Sequence, residues 1–252
     1  MTNGVSSSYD ATSELTPYAA AIVDVTATLS IYSSYNEIFK AQNSRTITGA
    51  QIEPRTGRQV ELGIKGEAAD GLLLYTAAVY RLTDENRAVA DPNNPGFSLP
   101  SGKARSQGFE AEVRGEINPS WSVSAGYAYT DTEFLRSTPA EQGRTVSSIT
   151  PKHSGNLWVH HVADSWIEGL ELSAGMRSVS DFFNGTGRTM VRGPGYTVFA
   201  AGGSYQITPR YSLSLNIDNL FDKKYWEKVS GPSRQNFFGE PRRFTISLRA
   251  SM

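Results

Sequence analysis

The sequence predicts an all-β fold, an antiparallel up-and-down transmembrane β-barrel fragment of about eleven strands. Three observations predict it. Apolar and polar residues alternate with a period of two in most of the chain. The alternating segments are about 9 to 12 residues long, close to the length with which a tilted strand crosses a bilayer. Short and long connections alternate strictly, which places all short turns at one end of the sheet and all long loops at the other.

The alternation defines the strands in chain order. In "YSLSLNID" the side chains of Tyr211, Leu213 and Leu215 alternate with those of Ser212 and Ser214. The same period recurs in "QVELGIKGE", "GFEAEVRGEI", "LELSAGM" and "FTISLRASM". The predicted strands are residues 17–25, 28–37, 58–67, 71–82, 107–117, 120–131, 152–162, 169–180, 195–206, 210–221 and 242–252.

The connections between these strands carry the second part of the prediction. The short ones are residues 26–27, 67–71, 118–120, 164–169 and 208–210. The long ones are residues 38–57, 83–106, 132–151, 181–194 and 222–241. Tight turns on one side and longer loops on the other are typical of outer-membrane barrels.

The alternation alone does not say what covers the apolar side of each strand. A soluble sandwich would bury that side, whereas a membrane barrel would turn it towards lipid. Long structureless loops are uncommon in compact soluble domains, which favours the barrel. So do aromatic residues near strand ends, where interfacial girdles lie, although a soluble β-sandwich binding module remains an alternative. These aromatics are Tyr32, Tyr35, Phe39, Tyr80, Trp121, Tyr127, Tyr129, Trp158, Tyr196 and Tyr211.

Composition excludes several classes of protein. The 252 residues carry a formal net charge of −1, so no general attraction to nucleic acid is expected. The chain has no cysteine, which rules out disulfides, thiolate metal sites and cysteine nucleophiles. No apolar run approaches the ~18 residues of a membrane helix.

The first residues do not have the pattern of a signal peptide. "MTNGVSSSYDATSEL" contains neither a basic segment nor an apolar run. We therefore expect residues 1–16 to be a disordered or loop segment and residues 17–252 to form the barrel domain. If the protein lies in an outer membrane, the lack of a signal peptide here indicates either that the chain is a fragment or that its signal peptide lies outside these residues.

No motif predicts catalysis or a resident metal ion. His160 and His161 are adjacent in a strand, so their side chains point to opposite faces and cannot chelate one metal ion. "DPNNPG" has a proline where a calcium loop needs a ligand, and "GTGRTMVRGPG" lacks the lysine of a phosphate-binding loop. The sequence predicts a protein that is not an enzyme and has no covalently bound cofactor.

Two C-terminal segments are similar to a known signature. The first, "NLFDKKY", contains Asn219, Leu220, Phe221, Asp222, Lys223 and Tyr225, and the second, "GEPRR", contains Gly239, Pro241 and Arg242. Together they resemble the end of TonB-dependent outer-membrane receptors. "SIYSSYNEIFKAQ", "IEPRTGRQVELGIKGE" and "GFEAEVRGEINPSWSVSAGYAYTDT" resemble the ferric-siderophore branch of that family, in the same order.

This resemblance implies a siderophore-uptake transporter in the outer membrane of a Gram-negative bacterium. The family has a barrel of about 22 strands, plugged by an N-terminal domain. The implied ligand is an iron(III)-siderophore chelate, and the implied partners are outer-membrane lipid and the TonB energy-coupling complex, with no nucleic acid. We expect this chain to supply the C-terminal half of such a receptor, without the plug or the TonB-contacting segment. Its last residue is Met252, where the family has Phe. An unplugged porin-like channel or a non-functional barrel fragment is the alternative.

Loop aromatics and arginines are the predicted ligand contacts. Aromatic rings stack on, and guanidinium groups attract, the anionic or aromatic chelates that the resemblance implies. These residues are Tyr35, Phe39, Phe182, Phe183, Arg188, Tyr225, Trp226, Arg234, Phe237 and Phe238. A structural role is expected for Asn219 and Asp222, which would tie the last loop to its strand, and for Gly239, Pro241 and Arg242, which open the final strand.

Overall fold

Eleven long strands form one antiparallel sheet in the computed structural model, which describes residues 15–185 and 187–251. Each strand pairs with the next along the chain, which confirms the predicted up-and-down, all-β fold. In the described residues β1 and β15 have one neighbour each, so the sheet does not close on itself. The strands are β1 (Tyr18–Thr26), β2 (Leu29–Lys40), β3 (Arg55–Ala68), β4 (Leu73–Ala90), β5 (Ser98–Asn118), β6 (Trp121–Arg136), β7 (His153–Val162), β8 (Leu170–Val179), β11 (Tyr196–Thr208), β12 (Tyr211–Asp218) and β15 (Arg243–Ala250).

Two of the long loops contain small hairpins of their own. In the first, β9 (Phe182–Asn184) pairs with β10 (Val191–Gly193), and a 3₁₀ turn (Gly187–Thr189) lies between them. In the second, β13 (Trp226–Lys228) pairs with β14 (Phe237–Phe238). The part of the chain that the structure describes contains no helix long and apolar enough to cross a membrane.

The sheet has a concave polar face and a convex apolar face. Cross-strand register places Tyr32, Glu61 and Glu110 on the same side. A depression of about 420 Å³ on this side is lined by residues of six consecutive strands, β2 to β7. Such a depression requires the sheet to curve around it, so the polar face is concave.

The apolar face is uncovered. Leu213 and Leu215 of β12 are 42% and 41% exposed. On β3 and β4, Leu62 and Val79 lie opposite each other and are 53% and 50% exposed. The soluble sandwich is therefore the wrong alternative for the described residues, because no second large sheet covers this face.

One of the predicted long loops is mostly strand. Residues 83–106 were expected to form a loop, but β4 continues to Ala90 and β5 begins at Ser98, which leaves only residues 91–97 between them. Asp84 of β4 bonds to Arg55 of β3, and Glu85 bonds to Lys103 of β5, with Nζ 2.7 Å from Oε1. These ion pairs join neighbouring strands where the apolar alternation has ended, so the hydropathy pattern does not detect the extension.

Two further expectations were wrong in part. The strand at residues 210–221 ends at Asp218, and Phe221 lies beyond it with its ring edge-on to Phe199, 5.5 Å between centroids. Not all strand-end aromatics form an outward girdle. The register places Tyr32, Tyr80 and Trp158 on the polar face, and leaves Trp121, Tyr127, Tyr129 and Tyr211 on the apolar face. The prediction about Met252 lies outside the described residues.

Candidate functional site

The two loops that contain hairpins pack against each other through a small core. Phe182 of β9, Tyr196 of β11 and Val229 after β13 are 4%, 6% and 0% exposed. Val179, Val191 and Val198 pack around them, and Asn184 Nδ2 donates to the carbonyl oxygen of Val229 at 3.3 Å. Burial of these side chains holds the two loops against each other.

An aromatic stack lies on the exposed side of the second hairpin. The rings of Trp226 and Phe238 are parallel within 17°, with centroids 3.9 Å apart. Phe238 is 62% exposed and its neighbour Phe237 is 49% exposed. A flat aromatic surface at the long-loop end of the sheet can stack on a planar ring of a ligand.

A charged depression of about 470 Å³ lies directly below this hairpin on the polar face. Its walls carry both aromatic and ionic side chains, among them Asn156, Trp158, Arg177, Asp218, Tyr225, Glu227 and Arg243. Arg177 Nη2 lies 3.6 Å from Glu227 Oε1, and its guanidinium lies 5.4 Å from the centroid of the Tyr196 ring. Arg243 Nη2 lies 2.9 Å from Asp218 Oδ2. The two guanidinium groups can exchange these carboxylates for the oxygens of an anionic ligand.

Asn219 and Asp222 connect the last loop to the end of β12. Asn219 Nδ2 donates to the carbonyl oxygens of Lys223 and Glu240 at 2.9 and 3.0 Å, and Asn219 Oδ1 accepts from the Lys223 amide at 2.8 Å. Asp222 Oδ1 accepts from the Arg242 amide at 3.0 Å. Both residues have positive φ, 47° and 52°, a region that Asn and Asp tolerate better than most residues.

Gly239 has a different structural role in the same loop. The Tyr225 ring lies where a side chain at position 239 would begin, with a Cβ there 1.9 Å from a ring atom. The absence of a side chain makes room for the Tyr225 ring, whose centroid lies 4.1 Å from that of Tyr196 at an interplanar angle of 35°. Pro241 and Arg242 follow immediately and lead into β15.

The predicted ligand contacts divide into three groups. Tyr225, Trp226, Phe237 and Phe238 gather on or beside the second hairpin, and Arg188 and Arg234 are exposed in the two loops. Phe182 is buried in the core that joins the loops, and Phe183 is half-buried beside it.

Tyr35 and Phe39 form the third group, and their assignment to a loop was wrong. Both lie within β2, on the apolar face, because the strand continues to Lys40. The Tyr35 hydroxyl donates to Glu37, two positions further along the same face. The structure does not bring either residue to the second hairpin, which lies near the other edge of the sheet.

Sequence reasoning did not select Trp158, Arg177, Glu227 or Arg243 for the site. The alternation of the sequence could have indicated Trp158 and Arg177, because it places both on the same side of their strands as small polar residues rather than with the leucines and valines. Trp158 lies over Gly175, where an added Cβ would meet its ring at 2.6 Å. The large ring thus fits on the polar wall because the facing residue is a glycine.

The histidines and the DPNNPG loop have local roles. His160 Nε2 lies 3.4 Å from Glu171 Oε2 on the polar face, while His161 stacks on Trp121 on the apolar face, 4.1 Å between centroids. Asp91 accepts from Asn94 Nδ2 and the Asn93 amide, both at 2.9 Å, and these bonds hold the pKa of its carboxyl below the usual value. Within the described residues no group of three or more His, Asp or Glu side chains is arranged to hold a metal ion.

Comparison with known families agrees with this architecture. Residues 2–220 match the family model described as TonB dependent receptor-like, beta-barrel. The chain belongs to this family. The TonB-dependent receptor-like assignment accounts for the eleven-stranded sheet, the uncovered apolar face and the alternation of short and long connections.

Relatives of this TonB-dependent receptor-like chain include named siderophore receptors. The ferric-pyoverdine receptor PbuA of a Pseudomonas species is 35% identical over 245 residues, which cover 95% of this chain and 30% of that protein. The ferrichrome outer membrane transporter/phage receptor of Escherichia coli is 32% identical over 199 residues, 77% of this chain and 26% of that protein. The crystal structure of the outer-membrane ferripyoverdine receptor of Pseudomonas aeruginosa has a TM-score of 0.83 at 30% identity, covering 93% of this chain and 32% of the other. The chain therefore spans about a third of the length of these relatives.

Proposed function

We propose that this chain forms part of the wall and external loops of an outer-membrane receptor that takes up ferric-siderophore complexes. The observation that carries the proposal is the combination of an uncovered apolar face with a polar, ionic face that has an aromatic hairpin at its long-loop end. The apolar face would meet lipid, and the polar face would line the lumen. Energy coupling through TonB would belong to the complete receptor.

The site chemistry supports an anionic, ring-bearing chelate as the ligand. Trp226 and Phe238 offer a stacking surface, while Arg177 and Arg243 offer guanidinium groups in the depression below. The iron would be substrate held by the siderophore, so the protein needs no metal ligands of its own. The proposed contacts are Arg177, Tyr225, Trp226, Arg234, Phe237, Phe238 and Arg243, with Arg188 at the neighbouring loop.

Ligand binding to the chain in outer membranes tests the proposal. The chain would be expressed in a strain without its own siderophore receptors, and binding of ⁵⁵Fe-loaded pyoverdine, ferrichrome and ferrioxamine B measured on isolated membranes. We expect one of the three to bind, and Trp226→Ala to weaken it by up to about tenfold, the loss of one aromatic stacking contact. Trp121→Ala, a matched change at the short-turn end of the apolar face, should leave the affinity unchanged.

Uptake measurements separate the receptor from a channel. Accumulation of ⁵⁵Fe by cells that carry the complete receptor, lost in a tonB deletion, supports the receptor. Accumulation that is equal in both strains, with no saturation and no effect of Trp226→Ala, would contradict it and indicate an open pore. Membrane insertion is checked independently, because folded outer-membrane barrels migrate differently on gels before and after heating.

A further inference from the structure

The outward-pointing side chains of the apolar face change from apolar to polar or charged along one row of residues. On β4 the outward side chains are Leu73, Tyr75, Ala77 and Val79, and the next is Arg81. The same switch occurs on the neighbouring strands, at Arg58 of β3, Gln107 of β5 and Asp131 of β6. Arg81 is eight residues beyond the start of β4, or about 20 Å of height for a tilted strand. This row thus marks the edge of the lipid-facing band on the long-loop side.

Arg81 differs from the other charged residues in and next to this row because its hydrogen-bond acceptor is neutral. Arg58 Nη2 lies 3.4 Å from Glu85 Oε1, and Lys152 Nζ lies 2.8 Å from Asp131 Oδ1. Arg81 Nε and Nη2 both donate to a neutral acceptor, Gln107 Oε1, at 3.2 and 3.0 Å. Among the described residues Arg81 forms no ion pair, so its charge is uncompensated at the margin of the lipid band.

A groove of about 620 Å³ begins at Arg81 and runs down the apolar face. Its walls are Val60 and Leu62 of β3, Val79 of β4 and Phe109 of β5, with Tyr129 at the side. The side chains of Val60 and Val79 are shorter than those of Phe109 and Tyr129, which leaves a furrow between the larger side chains rather than a flat surface. An apolar furrow with a guanidinium at its upper end complements a molecule with a hydrocarbon tail and an anionic head.

We propose that this groove binds a single anionic lipid of the leaflet on the long-loop side, with its phosphate on Arg81 and an acyl chain along Val60, Leu62, Val79 and Phe109. The phosphate would supply the counter-charge that the protein does not provide, through charge-assisted hydrogen bonds from the guanidinium. The site is separate from the proposed siderophore site, which lies on the opposite face. The proposal of a lipid site rests on the proposed membrane insertion of the apolar face.

Native mass spectrometry of the full chain tests the lipid site. The chain is purified in detergent, its insertion-competent fold is checked by heat-modifiable migration, and diphosphoryl lipid A is titrated into the micelles. We expect one lipid to remain bound, and Arg81→Gln to weaken its binding by about tenfold, the size expected for losing a hydrogen bond to a charged partner. Val79→Phe, which fills the furrow and keeps the face apolar, should also reduce binding.

Matched controls decide the outcome. Arg114→Gln makes the same change on the polar face of β5, and it should leave lipid binding unchanged. Equal binding by Arg81→Gln and Arg114→Gln would overturn the lipid site, and so would complete displacement of the lipid by an equal concentration of inorganic phosphate. A chain without heat-modifiable migration would overturn the membrane insertion on which both proposals depend, whereas normal migration with equal binding would overturn the lipid site alone.

Discussion

Single side chains decide how the loop after β12 is held. Asn219 is 7% exposed and joins the start and the end of this loop through three hydrogen bonds. Its backbone φ of 47° lies in the left-handed region. An amide side chain suits this position because it donates and accepts at once and because Asn tolerates this backbone conformation.

Replacing Asn219 tests this role. Asn219→Ala leaves the partly buried carbonyl groups of Lys223 and Glu240 without their donor, which we expect to lower the free energy of unfolding by about 1–2 kcal/mol. Urea unfolding in detergent micelles, followed by tryptophan fluorescence, measures the change. The control is Asn118→Ala at the short-turn end, where the exposed side chain makes one bond to the Ser120 amide. Equal effects of the two substitutions would contradict the assigned role.

The lowered pKa of Asp91 predicts that the stability of the loop at residues 91–97 depends on pH. The Asp91 carboxyl is bound by Asn94 and by the Asn93 amide in residues 91–97, outside the long strands, and these bonds depress its pKa from the ordinary value of 3.8. A depressed folded pKa means that the carboxylate stabilises the loop above its ordinary pKa, and that this stability is lost as the pH falls through the folded value.

We therefore expect the amides of residues 91–97 to lose hydrogen-exchange protection below pH 3.8, after correction for intrinsic rates. Asp91→Asn should remove this pH dependence, while Asp70→Asn in a short turn should leave it in place. Protection that is unchanged down to the pH of global unfolding would contradict the prediction.

At the scale of elements, cross-strand ion pairs extend the β4–β5 hairpin beyond the apolar band. Asp84 is 13% exposed and binds both Arg55 and Arg87, whose side chains are 28% and 24% exposed. A bulge at Asn86, with φ 57°, lets the strand continue past this point. The extension therefore depends on charges that are largely shielded from water.

Asp84→Asn should loosen this extension and leave the lower part of the hairpin intact. The substitution keeps the shape of the side chain but leaves two partly buried guanidinium groups without their carboxylate, a change that is strongly destabilising in buried pairs. Hydrogen exchange should rise in residues 82–90 and 98–105, while residues 73–80 keep their protection. Glu67→Ala, at the opposite end of β3, is the control. A uniform rise along the whole of β4 would contradict the local role of Asp84.

At the scale of the whole molecule, the main feature is that the sheet has two open edges. β1 and β15 are at opposite ends of the strand order, and each has one unpaired side in the described residues. Unpaired backbone groups are costly in lipid, so these edges need partners in a membrane. The chain's length, about a third of its relatives, agrees with partners from further strands.

A disulfide experiment tests the openness of the sheet. The chain has no cysteine, so Ala20→Cys in β1 and Ser247→Cys in β15 give an unambiguous pair. We expect no intramolecular disulfide, because the two strands are at opposite ends of the sheet. Leu215→Cys with Ile246→Cys, which face each other in register, should cross-link within one chain. A monomeric cross-link between positions 20 and 247 would contradict the open sheet, and a dimeric one would indicate that two copies pair.

The sequence by itself determined the number of long strands, the two faces and the end at which the long loops lie. These features depend on a period of two and on turn lengths, which are local properties that each segment carries alone. For the same reason it determined that Tyr225, Trp226, Phe237 and Phe238 belong to one long loop.

The tertiary structure decided which segments touch. Phe182 is buried because Val229, 47 positions later in the chain, covers it from another loop. Trp158 lies on the polar wall because the register puts Gly175 opposite it. The extension of β4 depends on Arg55 and Lys103 from the two neighbouring strands. Contacts of this kind depend on register and loop packing between distant residues, so local periodicity could not predict them.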